Sequence, residues 1–440
     1  MGGKLLIERA SWTLVNQGLV SSGNFLLNVL LARTLSPQDY GKFTLFLGAI
    51  FILRAIDYSL ISYPLSVRLC VASDEDRPGL LGNTILIAVA LSLVMVVVMA
   101  LGTTLLDAGN LQLPACLCYL CWQAQETSRR CLLADFRYRA AVPGDGIAYV
   151  GQALLIAFVA WLEGIALPSA LYMMSATFAV GALVHASKLR FAWPDFAEAA
   201  LLAREYFSIG KWSIVSYELV LVRAQLFPWV LATTAGTAAT ASLQAGLNIA
   251  NMMNPIIFGI GNAIPQVAAH AHRTGGGVIG ASRMAYGYVL FGLVPILLIC
   301  AGAVLMPELL LRTVYGPSSP YLDAAMGLQL LAVAGVLDYI AEMISKTLLG
   351  VQAGRLASVV NVVSVGVAAV LAYALIGTLG VLGACLALLM ANLVRAAGAV
   401  IAIAWLIADE KKSRERARSA SAINLVPVDR IATMPARKER

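Results

Sequence analysis

The sequence predicts an all-α polytopic membrane protein with about twelve transmembrane helices, built as two copies of one six-span unit. Three observations carry this. The chain of 440 residues is 60% hydrophobic and only 12% charged, too apolar for an ordinary soluble fold. Uninterrupted apolar stretches, each of the about 20 residues a membrane helix needs, follow one another from residue 11 to residue 408. The chain also echoes itself without gaps: Trp12, Val15, Leu19, Val20, Leu26, Leu31, Ala32, Thr34 and Leu47 return as Trp212, Val215, Leu219, Val220, Leu226, Leu231, Ala232, Thr234 and Leu247. Self-similarity of this kind marks a duplicated architecture.

In order, the first-half spans are 11–33, 42–66, 79–105, 112–134, 142–162 and 165–187. Those of the second half are 206–233, 238–265, 284–306, 321–349, 356–376 and 380–408. Runs such as Thr84 to Met99 are continuously apolar, which excludes a β-barrel, whose strands alternate apolar and polar residues. The first span is too long for a cleaved signal peptide, and no small-residue cleavage site follows it before Arg33.

Orientation follows from the basic residues, because short loops rich in Lys and Arg stay in the cytoplasm. Arg68 and Arg77, then Arg129, Arg130, Arg137 and Arg139, then Lys188, Arg190 and Arg204, then Arg273 and Arg283, then Arg355 mark every second connection. The intervening loops carry no Lys or Arg, apart from Arg33, Lys42 and Arg312. An even number of spans with both termini cytoplasmic is therefore expected. Residues 1–200 and 201–408 form the two expected bundles, and 409–440 a basic, disordered cytoplasmic tail. From Lys411 onward the tail carries nine Lys or Arg against three Asp or Glu. Such a tail is an orientation signal and solvated end, or a contact for anionic lipid headgroups. No folded nucleic-acid reader is visible.

Several chemistries are excluded. Cys116, Cys118 and Cys121 cluster within one apolar span, without a second ligand pair at zinc spacing, and read as small buried hydrophobes; no metal and no cofactor is expected. There is no phosphate-binding Gly-x-x-x-x-Gly-Lys-Ser/Thr loop, so the chain does not hydrolyse ATP itself. The longest outer loop, from about Pro307 to Tyr321, is too short for the catalytic loops of membrane polymerases and ligases, so the chain is not expected to be an enzyme.

Charge inside the spans is the informative signal, because burying Arg, Lys, Asp or Glu in a bilayer is costly and such groups face a bundle interior or a wet cavity. Arg54 and Asp57 lie midway along the second span, Glu218 and Arg223 in the seventh, Asp338, Glu342 and Lys346 at four-residue steps in the tenth, and Arg395 in the twelfth. A second internal echo joins Glu126-x-x-x-Arg130-x-Leu132-Leu133 to Glu342-x-x-x-Lys346-x-Leu348-Leu349. An acid four residues before a base shares its helical face, so these pairs either brace each half or take part in coupling. Asp57 is one turn from Arg54 and could pair with it. Arg223 has no acid three or four residues away, which favours a cavity role.

The stretch Leu31-Ala32-Arg33-Thr34-Leu35-Ser36-Pro37-Gln38-Asp39-Tyr40-Gly41 resembles the loop after the first helix of polysaccharide flippases in the multidrug/oligosaccharidyl-lipid/polysaccharide exporter superfamily. The stretch from Glu126 to Arg139 and Asn254-Pro255-Ile256 resemble the same group. The resemblance implies two six-helix bundles related by a pseudo-two-fold axis along the membrane normal, as a same-sense repeat six spans apart requires. It also implies a flippase that carries undecaprenyl-pyrophosphate-linked oligosaccharide from the cytoplasmic to the periplasmic leaflet by alternating access, for surface polysaccharide biosynthesis. Its partners would be the lipid-linked oligosaccharide, membrane lipids, and a polysaccharide polymerase with glycosyltransferases; the chain is expected to be monomeric. By that resemblance Arg54, Asp57, Glu218, Arg223 and Arg395 would serve the headgroup or cavity, with Arg54 and Arg223 on cavity helices. Glu126, Arg130, Asp338, Glu342 and Lys346 would brace the halves or couple transport, Asp338 and Glu342 being the candidate proton or cation carriers. Pro37, Pro64, Pro228, Pro255 and Pro265 are candidate bend points. A cation-coupled drug or metabolite antiporter of the same superfamily, which would need an acidic cavity, is the alternative; a polysaccharide polymerase or ligase is the second.

Overall fold

The computed structural model describes residues 2–69, 71–105 and 108–423. Within these residues the chain is all-helical, with twelve long helices and one short amphipathic helix besides isolated short turns. The first half comprises α1 (Gly2–Thr34), α2 (Pro37–Leu69), α3 (Arg77–Leu105), α4 (Gly109–Ala134), α5 (Tyr138–Glu163) and α6 (Leu167–Ala186). The second comprises α7 (Phe196–Ala235), α8 (237–271), α9 (Gly277–Leu305), the short α10 (Pro307–Tyr315), α11 (Ala325–Gly350), α12 (354–379) and α13 (381–423). Each span expected from the sequence coincides with one long helix, in the same order. The short α10 lies in what reads as an outer loop.

Local chemistry explains where these helices start, stop and bend. Ser36 caps α2 by accepting a hydrogen bond from the Asp39 amide at 3.2 Å, with Pro37 in the first turn, and Asp195 caps α7 through the Ala197 and Glu198 amides. Such caps satisfy amides that have no partner within the helix. The α12–α13 hairpin turns on Gly380, at φ 54° and ψ −128°, a conformation that a side chain strongly disfavours. Ser364 donates to the Ala391 carbonyl at 3.1 Å across that hairpin, and Val360 packs on Gly398. Two buried aspartates immediately precede π-helical turns: Asp57 before Tyr58–Ser62 in α2, and Asp145 before Gly146–Gly151 in α5. A short 3-10 turn, Asn251–Met253, bends α8 ahead of Pro255.

In the first half α4 packs on α3 and α6, and α1 on α5; in the second, α11 packs on α8, α9 and the α12–α13 hairpin. The halves meet where α2 runs against α7 and α8, and where α1 touches α8. Gly41 makes the α2–α8 approach possible, since a Cβ there would collide with the Thr237 backbone. The expected division at residue 200 falls inside α7, whose first turns dock on the first half. Glu205 pairs with Arg68 at 2.9 Å, Glu198 accepts from Asn83 at 3.1 Å, and the Tyr206 and Thr84 hydroxyls lie 2.9 Å apart.

Twelve crossings place the α1–α2 turn at one end of the bundle and the α2–α3 turn at the other. The basic connections bearing Arg68, Arg77, Arg137, Lys188, Arg273, Arg283 and Arg355 all fall at the α2–α3 end. Arg129 and Arg130, read from the sequence among these loop bases, are instead part of α4. The start of the tail expected to be disordered continues α13 as helix to Ile423. There Glu410 accepts from the Ile279 amide at 3.0 Å and Arg414 donates to the Gly276 carbonyl at 3.0 Å. Residues 424–440 of that tail lie outside the described residues.

Candidate functional site

Each half gathers its intramembrane charges around its fourth helix. In the first half Glu126 on α4, 2% exposed, is shared by three guanidiniums: Arg130 at 2.7 Å, Arg54 of α2 at 3.2 Å and Arg129 at 3.3 Å. Arg129 in turn pairs at 2.9 Å with Asp145 of α5, and Asp145 accepts from Gln125 at 3.1 Å and lies 3.6 Å from His185 of α6. Arg54 also lies 6.0 Å from the Trp122 ring, and Arg130 5.4 Å from that of Tyr58. The interior of this network is closed to solvent, while the Arg54 side chain keeps 37% of its surface and that of Arg130 26%.

Asp57 does not pair with Arg54. It is buried, and its carboxylate accepts from Gln123 of α4 at 2.6 Å. The carboxylate that holds Arg54 comes from the neighbouring helix, although the one-turn spacing of Arg54 and Asp57 favours a local pair.

The second half repeats the plan on α11. Arg395 of α13 donates to Asp338 at 2.8 Å, to Glu342 at 2.5 Å and to Asn361 of α12 at 2.9 Å. Arg223 of α7 reaches Asp338 at 3.3 Å and Asn392 at 2.8 Å, and Lys346 sits 3.4 Å from Glu342. Asn392 is fixed by donating to the Ala334 carbonyl at 3.1 Å. Arg395 is thus buried in the cluster with its guanidinium engaged on three sides. Asp338, Lys346 and Arg223 keep 31%, 33% and 18% of their side chains accessible. Glu218 lies outside the residues whose side chains are described.

The two clusters are counterparts. Glu126 corresponds to Glu342 and Arg130 to Lys346, and the same offset carries Asp145 of the fifth helix onto Asn361 of the eleventh long helix. The sixth long helix supplies His185 and the twelfth Arg395. The sequence reading does not single out Asp145, Gln123, Gln125, His185, Asn361 or Asn392, and it takes Arg129 for a loop base. Extending the Glu126–Glu342 offset would have reached Asp145 and Asn361; for the uncharged groups no sequence signal exists.

In each half three fixed cations contact two carboxylates: Arg54, Arg129 and Arg130 against Glu126 and Asp145, and Arg223, Arg395 and Lys346 against Asp338 and Glu342. Asp57, held by Gln123, brings a third carboxylate beside the first cluster, so among the described side chains a surplus cation belongs to the second cluster alone; the accessible cations are Arg54, Arg130, Arg223 and Lys346, with Asp338 accessible among them. Guanidiniums and ammonium groups in a membrane interior suit a phosphate-bearing or carboxylate ligand. Among the described residues no group of three His, Cys, Asp or Glu side chains could hold a metal ion. A groove of about 560 Å³ at the α2–α3 end, edged by Arg68, Asp76, Asn83, Glu198 and Glu205, includes none of the candidate site residues.

No protein-family model and no curated protein sequence matches the chain. Solved structures do. An inward-facing multidrug resistance MATE family transporter of the MOP superfamily is 16% identical, with 92% of this chain and 96% of that one covered at a TM-score of 0.69. The lipid II flippase MurJ in an inward closed conformation is 12% identical, with 90% and 87% covered at a TM-score of 0.71. A MOP superfamily transporter from Pyrococcus furiosus, described as having a binding pocket of reversed polarity, is 15% identical, with 92% and 96% covered at a TM-score of 0.62. At these identities the likeness is one of fold: this multi-pass membrane protein has the two-bundle, twelve-helix fold of MOP superfamily transporters.

Proposed function

We propose that the chain is a flippase that moves an undecaprenyl-pyrophosphate-linked oligosaccharide from the cytoplasmic to the periplasmic leaflet of a bacterial inner membrane, for surface polysaccharide biosynthesis. The observation that carries this reading is the set of anchored but accessible cations, Arg54 and Arg130 in the first cluster and Arg223 and Lys346 in the second. A pyrophosphate crossing the bilayer needs cations that are held in place and still reachable, and Arg54 and Arg223, each anchored by a carboxylate of its own half, are such groups. Both termini, and the α2–α3 end with its basic connections, face the cytoplasm in this scheme. The two bundles rock about the central clusters, with the glycan between them and the polyprenyl chain left in lipid. Glycosyltransferases that build the glycan and a polymerase that extends it are the partners this chemistry calls for.

The second-half carboxylates do not present themselves as free ion carriers. Asp338 and Glu342 are held by Arg223, Arg395 and Lys346, which supports a bracing role over coupling. The drug antiporter reading draws on the same fold, but an organic cation would meet the accessible guanidinium and ammonium groups of Arg54, Arg130, Arg223 and Lys346. The Pyrococcus protein is relevant here, since pocket polarity was the stated ground for giving it a different function. The test is surface glycan export in a deletion strain complemented with Arg54→Ala and Arg223→Ala. Loss of export with the protein still in the membrane is expected; unchanged export would refute the headgroup site.

A further inference from the structure

Arg33 breaks the charge rule that orients the chain, because it sits at the α1–α2 end, away from the basic connections. The structure gives it a specific partner. Its Nε donates to the Val314 carbonyl at 2.6 Å and its Nη2 to the Thr313 carbonyl at 2.8 Å. Both belong to the last turn of α10, which ends at Gly316 with φ 98°. Carbonyls in a final helical turn have no intrahelical donor and carry the negative end of the helix dipole, so a guanidinium is well matched to them. The arginine comes from the first half and the carbonyls from the second.

Below this contact lies a buried polar layer that also spans the halves. Asn248 of α8 donates to the Tyr40 hydroxyl of α2 at 2.8 Å and to the Tyr315 hydroxyl of α10 at 3.3 Å. Tyr315 donates to the Ala245 carbonyl at 2.9 Å, and Tyr40 to Asn28 of α1 at 3.4 Å. Tyr321 packs on the rings of Tyr40 and Tyr315. Next to Tyr40, Gly41 brings α2 onto the backbone of Thr237. Separating the halves here breaks the Asn248–Tyr40 bond and the Tyr40–Tyr321 ring contact in the buried layer, whereas Arg33 is exposed and finds water in place of the two carbonyls it gives up.

We propose that Arg33 and α10 form a releasable latch that holds the α1–α2 end of the pathway closed over the Tyr40–Asn248–Tyr315 layer. Opening at this end begins when the guanidinium leaves the α10 carbonyls, and the tyrosine layer then parts. The proposal rests on the alternating-access reading, but its test needs no substrate.

The test uses the full-length protein in liposomes, with its native cysteines replaced and Thr44→Cys as reporter. Thr44 is buried one turn below Tyr40. A membrane-impermeant maleimide is applied from the α1–α2 side. Arg33→Ala should raise the labelling rate about tenfold, the loss expected for charge-assisted bonds, and Arg33→Lys should raise it less, since an ammonium can still reach one carbonyl. Thermal unfolding should not move. Equal rates in the Arg33 and Arg33→Ala proteins would overturn the latch, as would a rise accompanied by a lowered melting temperature, which signals general loosening. If Arg54→Ala and Arg223→Ala left glycan export unchanged while Arg33→Ala still sped labelling, the headgroup reading would fall and the latch would stand.

Discussion

Glu126 and Asp145 show how a single buried carboxylate organises a membrane interior. Removing Asp145 leaves the Arg129 guanidinium buried with Glu126 alone, which Arg54 and Arg130 already share. An uncompensated buried charge costs about 3–5 kcal/mol. Asp145→Ala should therefore lower the melting temperature in detergent sharply, whereas Arg54→Ala, on an accessible side chain, should leave it almost unmoved and abolish transport. A similar drop in both variants would mean that Arg54 is structural. The contrast also explains what could be read in advance. Arg54, Glu126, Asp338, Glu342 and Arg395 are legible because charge in the middle of an apolar run has no innocent explanation. Arg129 and Asp145 lie near the ends of their runs, where a charge looks like a loop residue. Asp57 carried a misleading local cue, for its spacing from Arg54 suits a pair along one helix while the fold offers Arg54 a better carboxylate on the next.

The long helices were legible for a different reason: a bilayer demands about 20 apolar residues per crossing, and no tertiary contact is needed to recognise them. The short α10 was not, because nine residues are too few for a crossing, and the charges of Glu308 and Arg312 between two long apolar runs fit a loop. The π-helical turns after Asp57 and Asp145 carry no sequence signature beyond a nearby proline. At this scale Gly380 makes the sharpest prediction. The hairpin it turns sets α12 against α13, and so Asn361 against Arg395. Gly380→Ala should cost about 1–3 kcal/mol through backbone strain and weaken the second-half cluster. Gly377→Ala lies in the same connection, but in helical backbone with open space around it, and should gain about 0.5–1 kcal/mol. Chemical unfolding of the two variants side by side separates the backbone requirement from the mere presence of glycine.

At the scale of the molecule the repeat is a scaffold shared by the two halves, and some of the differences between them are differences of charge. Arg33 stands where the second half has Thr233, Asp145 where it has Asn361, and His185 on the helix equivalent to the one bearing Arg395. The duplication was visible in the sequence because a conserved helix face repeats. The closure of the halves was not, because it rests on a few contacts, Arg33 to α10 and Tyr40 to Asn248, that obey no period. If the bundles move as rigid bodies, contacts within a bundle should persist through the cycle while contacts across the α1–α2 end should break. Two cysteine pairs in a cysteine-free background test this. Arg33→Cys with Thr313→Cys spans the halves; Val360→Cys with Gly398→Cys lies within the second bundle, where the native side chain packs against that glycine. Bridging the first pair with a short bifunctional thiol reagent should stop glycan export, and a reductant that cleaves the bridge should restore it. Bridging the second pair should leave export at the level of the unbridged protein. Export that survives the first bridge would mean that the substrate crosses without the halves parting at this end, and the rocking mechanism would have to be given up.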